Sequence, residues 1–349
     1  MSPSIASAAT VLSSTSSSDM RHARFFSLFV SLSLLAYGAA GFYFLPMATF
    51  QSELTRMALL PESMFGWTKP QPAIDASLLQ QASMQDADVL VIGDSFSDGR
   101  VWQFVLTKQG LKVRTESWNS MRGICADFMP WLRAQGFRGQ HIVLESIERN
   151  LVSDIQKSVA CEKMQYHPDP ETDAPRHPPA VSNDIHYGNY AGRLSTGIST
   201  WLTALDYERR SAAPDFAAWQ LRNEVTVARI PDGCNLFSHT RCNDALFYSI
   251  DKPEDIDPAI MADMQTVESR MPGIKVIWAF VPNKSTAYRY PDKRFWKTVG
   301  QRFNAPDLLQ VTQQAIKEKV VDLYPANNTH FSTSGYLLMG AEIQKHLQQ

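Results

Sequence analysis

Two kinds of apolar run alternate with polar stretches along this chain, and length separates them. The first spans residues 25–47, 23 positions without a charge, bounded by Arg21, His22 and Arg24 before it and by Glu53 after it. A helix needs about 20 such residues to cross the hydrocarbon core of a bilayer. The other runs are short. Val89-Leu90-Val91-Ile92, Ile142-Val143-Leu144 and residues 274–281 are continuous apolar stretches with polar flanks, the pattern of strands covered on both faces. Leu111-Lys112-Val113 starts a further strand, and Val320-Val321-Asp322-Leu323 supplies a fifth. Helical spacing fills 101–109, 126–135 and 335–347. Short apolar strands alternating with helices predict an α/β fold built on a doubly wound parallel sheet.

The alternation lapses between about 151 and 250. Residues 167–180 hold five prolines (168, 170, 175, 178 and 179) and read as loop. This stretch is expected to be an insertion that shapes the site within one domain of residues 86–349. Residues 48–85, with Pro61, Pro70 and Pro72, read as a linker. Residues 1–24, rich in Ser, Ala and Thr, read as a disordered cytoplasmic leader. The basic flank predicts a single-pass anchor that leaves the remainder outside the cytoplasm. A cleavable signal peptide is the rival, because Ala36-Tyr37-Gly38-Ala39-Ala40 offers small residues near the end of the run.

Composition narrows the classes. The chain has 349 residues, 33 basic against 35 acidic, a net charge of −2 and 44% hydrophobic residues. Near-neutral charge argues against a nucleic-acid partner, which demands clustered Lys and Arg. Four cysteines (125, 161, 234 and 242) form no C-x-x-C pair and have no His at zinc-ligand spacing, so a metal site is not expected. Cys234 and Cys242 flank a short loop that an oxidising compartment can close as a disulfide; free structural cysteines fit the spacing as well.

Candidate chemistry sits at strand ends. Gly93-Asp94-Ser95-Phe96-Ser97 directly follows the first buried run, where a parallel sheet gathers its ligands. A serine on that turn exposes its hydroxyl, and its own N–H can stabilise an oxyanion. The same pentapeptide also fits an ordinary helix cap. Serine needs a base. Of eight histidines, His330 stands apart: it lies between the last apolar run and the last helix, where its loop can converge with Ser95.

Together, GDSFS after the first strand and THFSTSGY before the last helix resemble the SGNH (GDSL-type) hydrolase superfamily. Glu145-Ser146-Ile147-Glu148-Arg149 and Val281-Pro282-Asn283-Lys284 resemble strand-end segments of its alginate O-acetylation branch. The resemblance touches about 86–150 and 235–349. It implies a flavodoxin-like, three-layer α/β/α fold, Ser95 as nucleophile and His330 as general base. It implies an enzyme of the bacterial inner membrane, its C-terminal domain in the periplasm, that moves acetyl groups onto polysaccharide hydroxyls without a metal or organic cofactor. A membrane-bound O-acyltransferase partner supplies the acetyl in such systems.

Two positions depart from that family. Its members carry Asp two residues before the His, where this chain has Asn328. The wider superfamily carries Asp three residues before, where this chain has Asn327. Losing the orienting carboxylate costs a Ser-His-Asp triad about 10⁴ in rate, although Cys-His-Asn proteases work with an amide. Asn328, Asn327 and Asp322 are therefore all candidates to orient His330. For the oxyanion hole, Gly123 can supply a second N–H, but no Asn stands in the third block. Arg149 is a candidate for substrate binding, or else an ion-pair partner of Glu148. Arg100 and Lys284 read mainly as solvated, with Lys284 favoured for a pocket role. A carbohydrate acetyl esterase, or a catalytically weak glycan-binding subunit of an exopolysaccharide complex, fits the same residues.

Overall fold

A computed structural model describes residues 17–182 and 192–348; the expected leader falls largely, and the insertion partly, outside them. The protein is an α/β structure whose main sheet has four parallel strands: β1 (Val89–Gly93), β2 (Val113–Ser117), β3 (His141–Ile147) and a later one, in the spatial order β2-β1-β3 and then that last strand. Two short strands and a third precede it in the chain: β4 (Ala218–Gln220), β5 (Val225–Arg229) and β6 (Asp244–Tyr248). The last is β7 (Lys275–Val281). Val89 pairs with Val113 on one side and His141 on the other, while Ile147 pairs with Val281.

Continuous apolar runs form these strands because both faces are covered. Leu90, Ile92, Leu144, Trp278 and Phe280 pack into one core with Phe128, Leu132, Leu151 and Met264. The alternate residues Val91, Val143, Ile277 and Ala279 pack into another with Phe96, Trp102, Met339 and Ile343. Successive side chains on a strand point to opposite faces, so both cores press on one sheet.

The expected fifth strand at 320–323 is a turn. Lys319 (φ 61°) and Asp322 (φ 56°) adopt left-handed backbone that no ladder accommodates, and the Asp322 N–H bonds the Leu236 carbonyl at 2.8 Å. The insertion carries structure that its weak periodicity hid. It holds the helix Leu194–Ser211 and a small antiparallel sheet in the order β4-β5-β6. Part of the stretch read as a linker also packs. Leu54, Ala58, Leu60 and Phe65 are buried against Val225, Val227, Leu246 and Phe247 in a third core. The segment after the apolar helix is thus a strap laid along the small sheet.

Among the described residues, one helix, Met20 to Ala48 with mean hydropathy 1.8, is long and apolar enough to cross a membrane. Its side chains, Phe25, Phe29, Leu35 and Phe42 among them, are exposed, while Phe44 at its end meets Trp201 of the insertion helix at 5.8 Å between ring centroids. The four cysteines form two disulfides, Cys125–Cys161 and Cys234–Cys242. The second is the bond left open from spacing; nothing in the sequence singled out the first.

Candidate active site

The turn after β1 places Ser95. Asp94 caps the short helix Ser95–Asp98: one carboxylate oxygen accepts the Phe96 N–H at 2.9 Å, and the other accepts the Ile147 N–H at 2.7 Å. The turn is thereby tied to the end of the neighbouring strand. Beneath it lies Glu145, fully buried, accepting the Asp94 N–H at 3.0 Å and the Ser97 hydroxyl at 2.7 Å. Burial, together with the Asp94 carboxylate beside it, pushes the Glu145 carboxyl well above the usual range. Gly93 is required: a Cβ there would collide with Ser97 Oγ and stand 2.6 Å from Glu145 Oε2. The consequence is an exposed Ser95 on a firmly held turn.

The loop before the last helix places His330. Lys284, fully buried, donates to the carbonyls of Pro325 (2.7 Å), Ala326 (2.8 Å) and Asn328 (3.2 Å). Three acceptors match the three N–H donors of an ammonium, although burial pulls its pKa well below the ordinary lysine value. From the insertion, the Leu246 N–H on β6 donates to the same Ala326 carbonyl at 2.9 Å. Ser332 caps the helix Thr333–Leu347. His330 is thus held between a capped helix and a carbonyl ladder gathered by one lysine, with Phe96 against its ring at 4.8 Å.

Ser95 and His330, 235 residues apart in sequence, meet here: Nε2 lies 2.7 Å from Ser95 Oγ. On the other ring nitrogen, Nδ1 faces Asn328 Oδ1 at 3.1 Å and Glu53 Oε1 at 3.5 Å. Both are acceptors, so the network assigns the neutral imidazole's proton to Nδ1 and leaves Nε2 to accept from serine. Asn328 also accepts the His330 N–H at 2.9 Å. Glu53 accepts the Thr329 N–H at 2.9 Å and is bonded by the Thr329 hydroxyl. Burial alone would raise the Glu53 carboxyl; its bonds to His330 and Thr329 outweigh that and hold it at about 2. Phe50, Gln51, Ser52, Glu53 and Arg56 of the strap, with Asn328 and His330, line a pocket of about 450 Å³.

The other candidates are dispersed. Asn327 donates to Glu62 at 2.5 Å, and its carbonyl accepts the Leu54 N–H at 3.1 Å; it fastens the strap, not the imidazole. Asp322 bonds the Ser238 N–H at 3.0 Å and its hydroxyl at 2.5 Å, pinning the insertion. Gly123 (φ 140°) lies against helix Glu148–Ala160, where a Cβ would stand 3.1 Å from Ser158 Cα. It lines a larger cleft of about 960 Å³ that includes neither Ser95 nor His330. Arg149 faces Asp251 at 3.5 Å and Asn283 at 3.3 Å. Glu148 pairs instead with Lys293, which corrects the expected Glu148–Arg149 alternative. Arg100 and Lys284 are not solvated: Arg100 is buried and donates to the carbonyls of Leu79 (2.8 Å) and Ala174 (2.5 Å).

Glu53 is the site residue that sequence reading missed. Its one available signal was its place as the first charge after the apolar run, which says nothing of His330 nearly a whole chain away. Among the described residues, no group of three or more His, Cys, Asp or Glu is placed to hold a metal ion. Comparison with protein-family models, with curated proteins and with solved structures gave no match.

Proposed function

We propose that this chain is a serine O-acetyltransferase of the SGNH type, anchored by its apolar helix, that acetylates hydroxyls of an exopolysaccharide or cell-surface glycan. The observation that carries the reading is the Ser95–His330 contact of 2.7 Å, backed at Nδ1, at the carboxyl end of a parallel strand. In this reading the sheet is the doubly wound core of a three-layer domain. The basic flank of Arg21, His22 and Arg24 keeps the N-terminal side in the cytoplasm of a bacterial cell and the domain in the periplasm. The two disulfides suit that compartment. A membrane-bound O-acyltransferase supplying the acetyl donor belongs to the same proposal.

His330 Nε2 takes the Ser95 proton as Oγ attacks the acetyl carbonyl, forming the C–O bond of a tetrahedral oxyanion. The Ser95 N–H, which has no acceptor among the described residues, would hold that charge. The imidazolium then protonates the leaving group. A sugar hydroxyl, deprotonated by the same His330, attacks acetyl-Ser95 and regenerates the serine.

Exposure of Ser95 favours a second reading, a carbohydrate acetyl esterase in which water replaces the sugar. The glycan-binding reading rested on Asn328, and a carboxylate at Nδ1 speaks against it. Mass spectrometry after incubation with an acetyl-ester donor separates these. Acetyl-Ser95 is expected in wild type and absent in Ser95→Ala; no serine-dependent adduct and no ester turnover would sink both enzyme readings. Adding an oligosaccharide then divides transfer from hydrolysis by product.

A further inference from the structure

We infer that Glu53, carried by the strap that leaves the apolar helix, is the positioning carboxylate of His330 and takes the place of the aspartate that Asn328 and Asn327 have lost. The inference rests on the reading of Ser95 and His330 as nucleophile and base. It begins with a division of labour at Nδ1. Asn328 Oδ1 is the nearer acceptor at 3.1 Å, but it is neutral and already takes the His330 N–H. An amide there selects the tautomer and gives little to the positive charge that the ring acquires when it removes the serine proton. Glu53 Oε1, at 3.5 Å from Nδ1, supplies the missing negative charge. Bonds from Thr329, with the ring beside it, hold its carboxyl well below the usual range and keep it ionised near neutral pH.

The strap is fixed well enough to hold that carboxylate in place. Leu54, next in sequence, is fully buried, and its N–H bonds the Asn327 carbonyl at 3.1 Å. Thr55 donates to Glu62 Oε2 at 2.5 Å, and Glu62 Oε1 takes the Asn327 side chain. Loop and strap are therefore stitched together on both sides of the Glu53–His330 contact. The two asparagines are not vacancies in a triad: one serves the imidazole's tautomer, and the other ties down the segment that brings the charge.

Other charged groups near the ring are Asp94 and Asp98 on the nucleophile turn, Arg56 on the strap and buried Lys284 under the loop. Among the described residues none of these makes a hydrogen bond or ion pair with Nδ1, so replacing Glu53 isolates its charge.

The test uses the full chain in detergent micelles or nanodiscs. The His330 ring is titrated by NMR, and Ser95 is labelled with a fluorophosphonate probe across pH. Glu53→Gln, nearly isosteric, removes a negative charge 3.5 Å from Nδ1 and is expected to move the ring's NMR titration midpoint to lower pH. It is also expected to slow labelling by about 10²- to 10³-fold, less than full triad loss because Asn328 still selects the tautomer, and to move the acidic limb of the labelling profile to lower pH. Glu53→Asp, which keeps the charge on a shorter arm, recovers part of both. A His330 pKa in Glu53→Gln equal to that of wild type overturns the inference, whatever the labelling shows. If the Gln variant does not fold, the Asp variant decides: an intermediate His330 pKa supports the role and an unshifted one refutes it. Wild-type protein whose Ser95 resists the probe while the His330 shift persists counts against the enzyme reading and leaves Glu53 as the charge partner of the ring.

Discussion

The Glu53 and Glu145 side chains are two carboxyls driven in opposite directions by their surroundings, and each gives a prediction. Folding depresses Glu53 from an ordinary 4.5 to about 2, because the bonds to His330 and Thr329 outweigh burial. Its ionised form therefore stabilises the fold above about pH 4.5, and that contribution fades as pH falls toward about 2. The shift corresponds to on the order of 3 kcal/mol, nearer 2 after allowing for its partial exposure. Urea midpoints measured across this window should fall less steeply in Glu53→Gln than in wild type; equal slopes would contradict the assignment. Burial and Asp94 push Glu145 toward its neutral form, so Glu145→Gln should cost less than about 1 kcal/mol and leave Ser95 labelling within a few-fold. Glu145→Ala strips acceptors from the Asp94 N–H and the Ser97 hydroxyl and opens a void, at about 2–4 kcal/mol. A Gln variant as damaged as the Ala variant would show that Glu145 is needed as an anion.

At the scale of elements, the His330 loop depends on one side chain. Lys284→Met removes the donors that gather the Pro325, Ala326 and Asn328 carbonyls, though Ala326 keeps its bond from Leu246. Orphaned acceptors cost about 1–3 kcal/mol. Displacement of a base by about 1 Å can cost 10²-fold in rate. Ser95 labelling should therefore fall far more than stability does, and labelling that tracks only the unfolded fraction would refute the positioning role. Legibility divides along the same lines. Strands β1, β3 and β7 were readable because burial on both faces makes them uniformly apolar. Strands β4 and β5 were not, since exposed Gln220 and Arg229 and half-buried Thr226 break up short antiparallel pieces, and β6 is a lone five-residue run. Residues 320–323 misled because apolar composition says nothing of left-handed backbone at Lys319 and Asp322. Ser95, His330 and Asn328 sit in local motifs, so the sequence could single them out, and the fold brings them together. Glu53 became visible only once the strap was folded across the small sheet.

On the scale of the whole molecule, Cys125–Cys161 ties the loop after β2 to the end of helix Glu148–Ala160 across a sequence separation of 36. Loop-closure entropy for that span gives about 4 kcal/mol, against roughly 2.5 kcal/mol for the shorter Cys234–Cys242 loop. Cys125→Ser should lower stability to chemical denaturation more than Cys234→Ser does; the reverse order would mean that native-state packing, not chain entropy, sets their worth. The strap also fixes a distance. Five residues lead from Ala48 at the end of the apolar span to Glu53, a reach of at most about 18 Å. Adding the glutamate side chain, the imidazole and the Ser95 contact keeps Oγ within roughly 30 Å of that end. With the helix in a bilayer, the reactive hydroxyl patrols a thin layer above the headgroups and samples a plane rather than a volume. Under the proposed acetyl transfer, a donor delivered from within the membrane would meet it by lateral diffusion, while a polymer chain would be reached only along the part of its length that skims the surface.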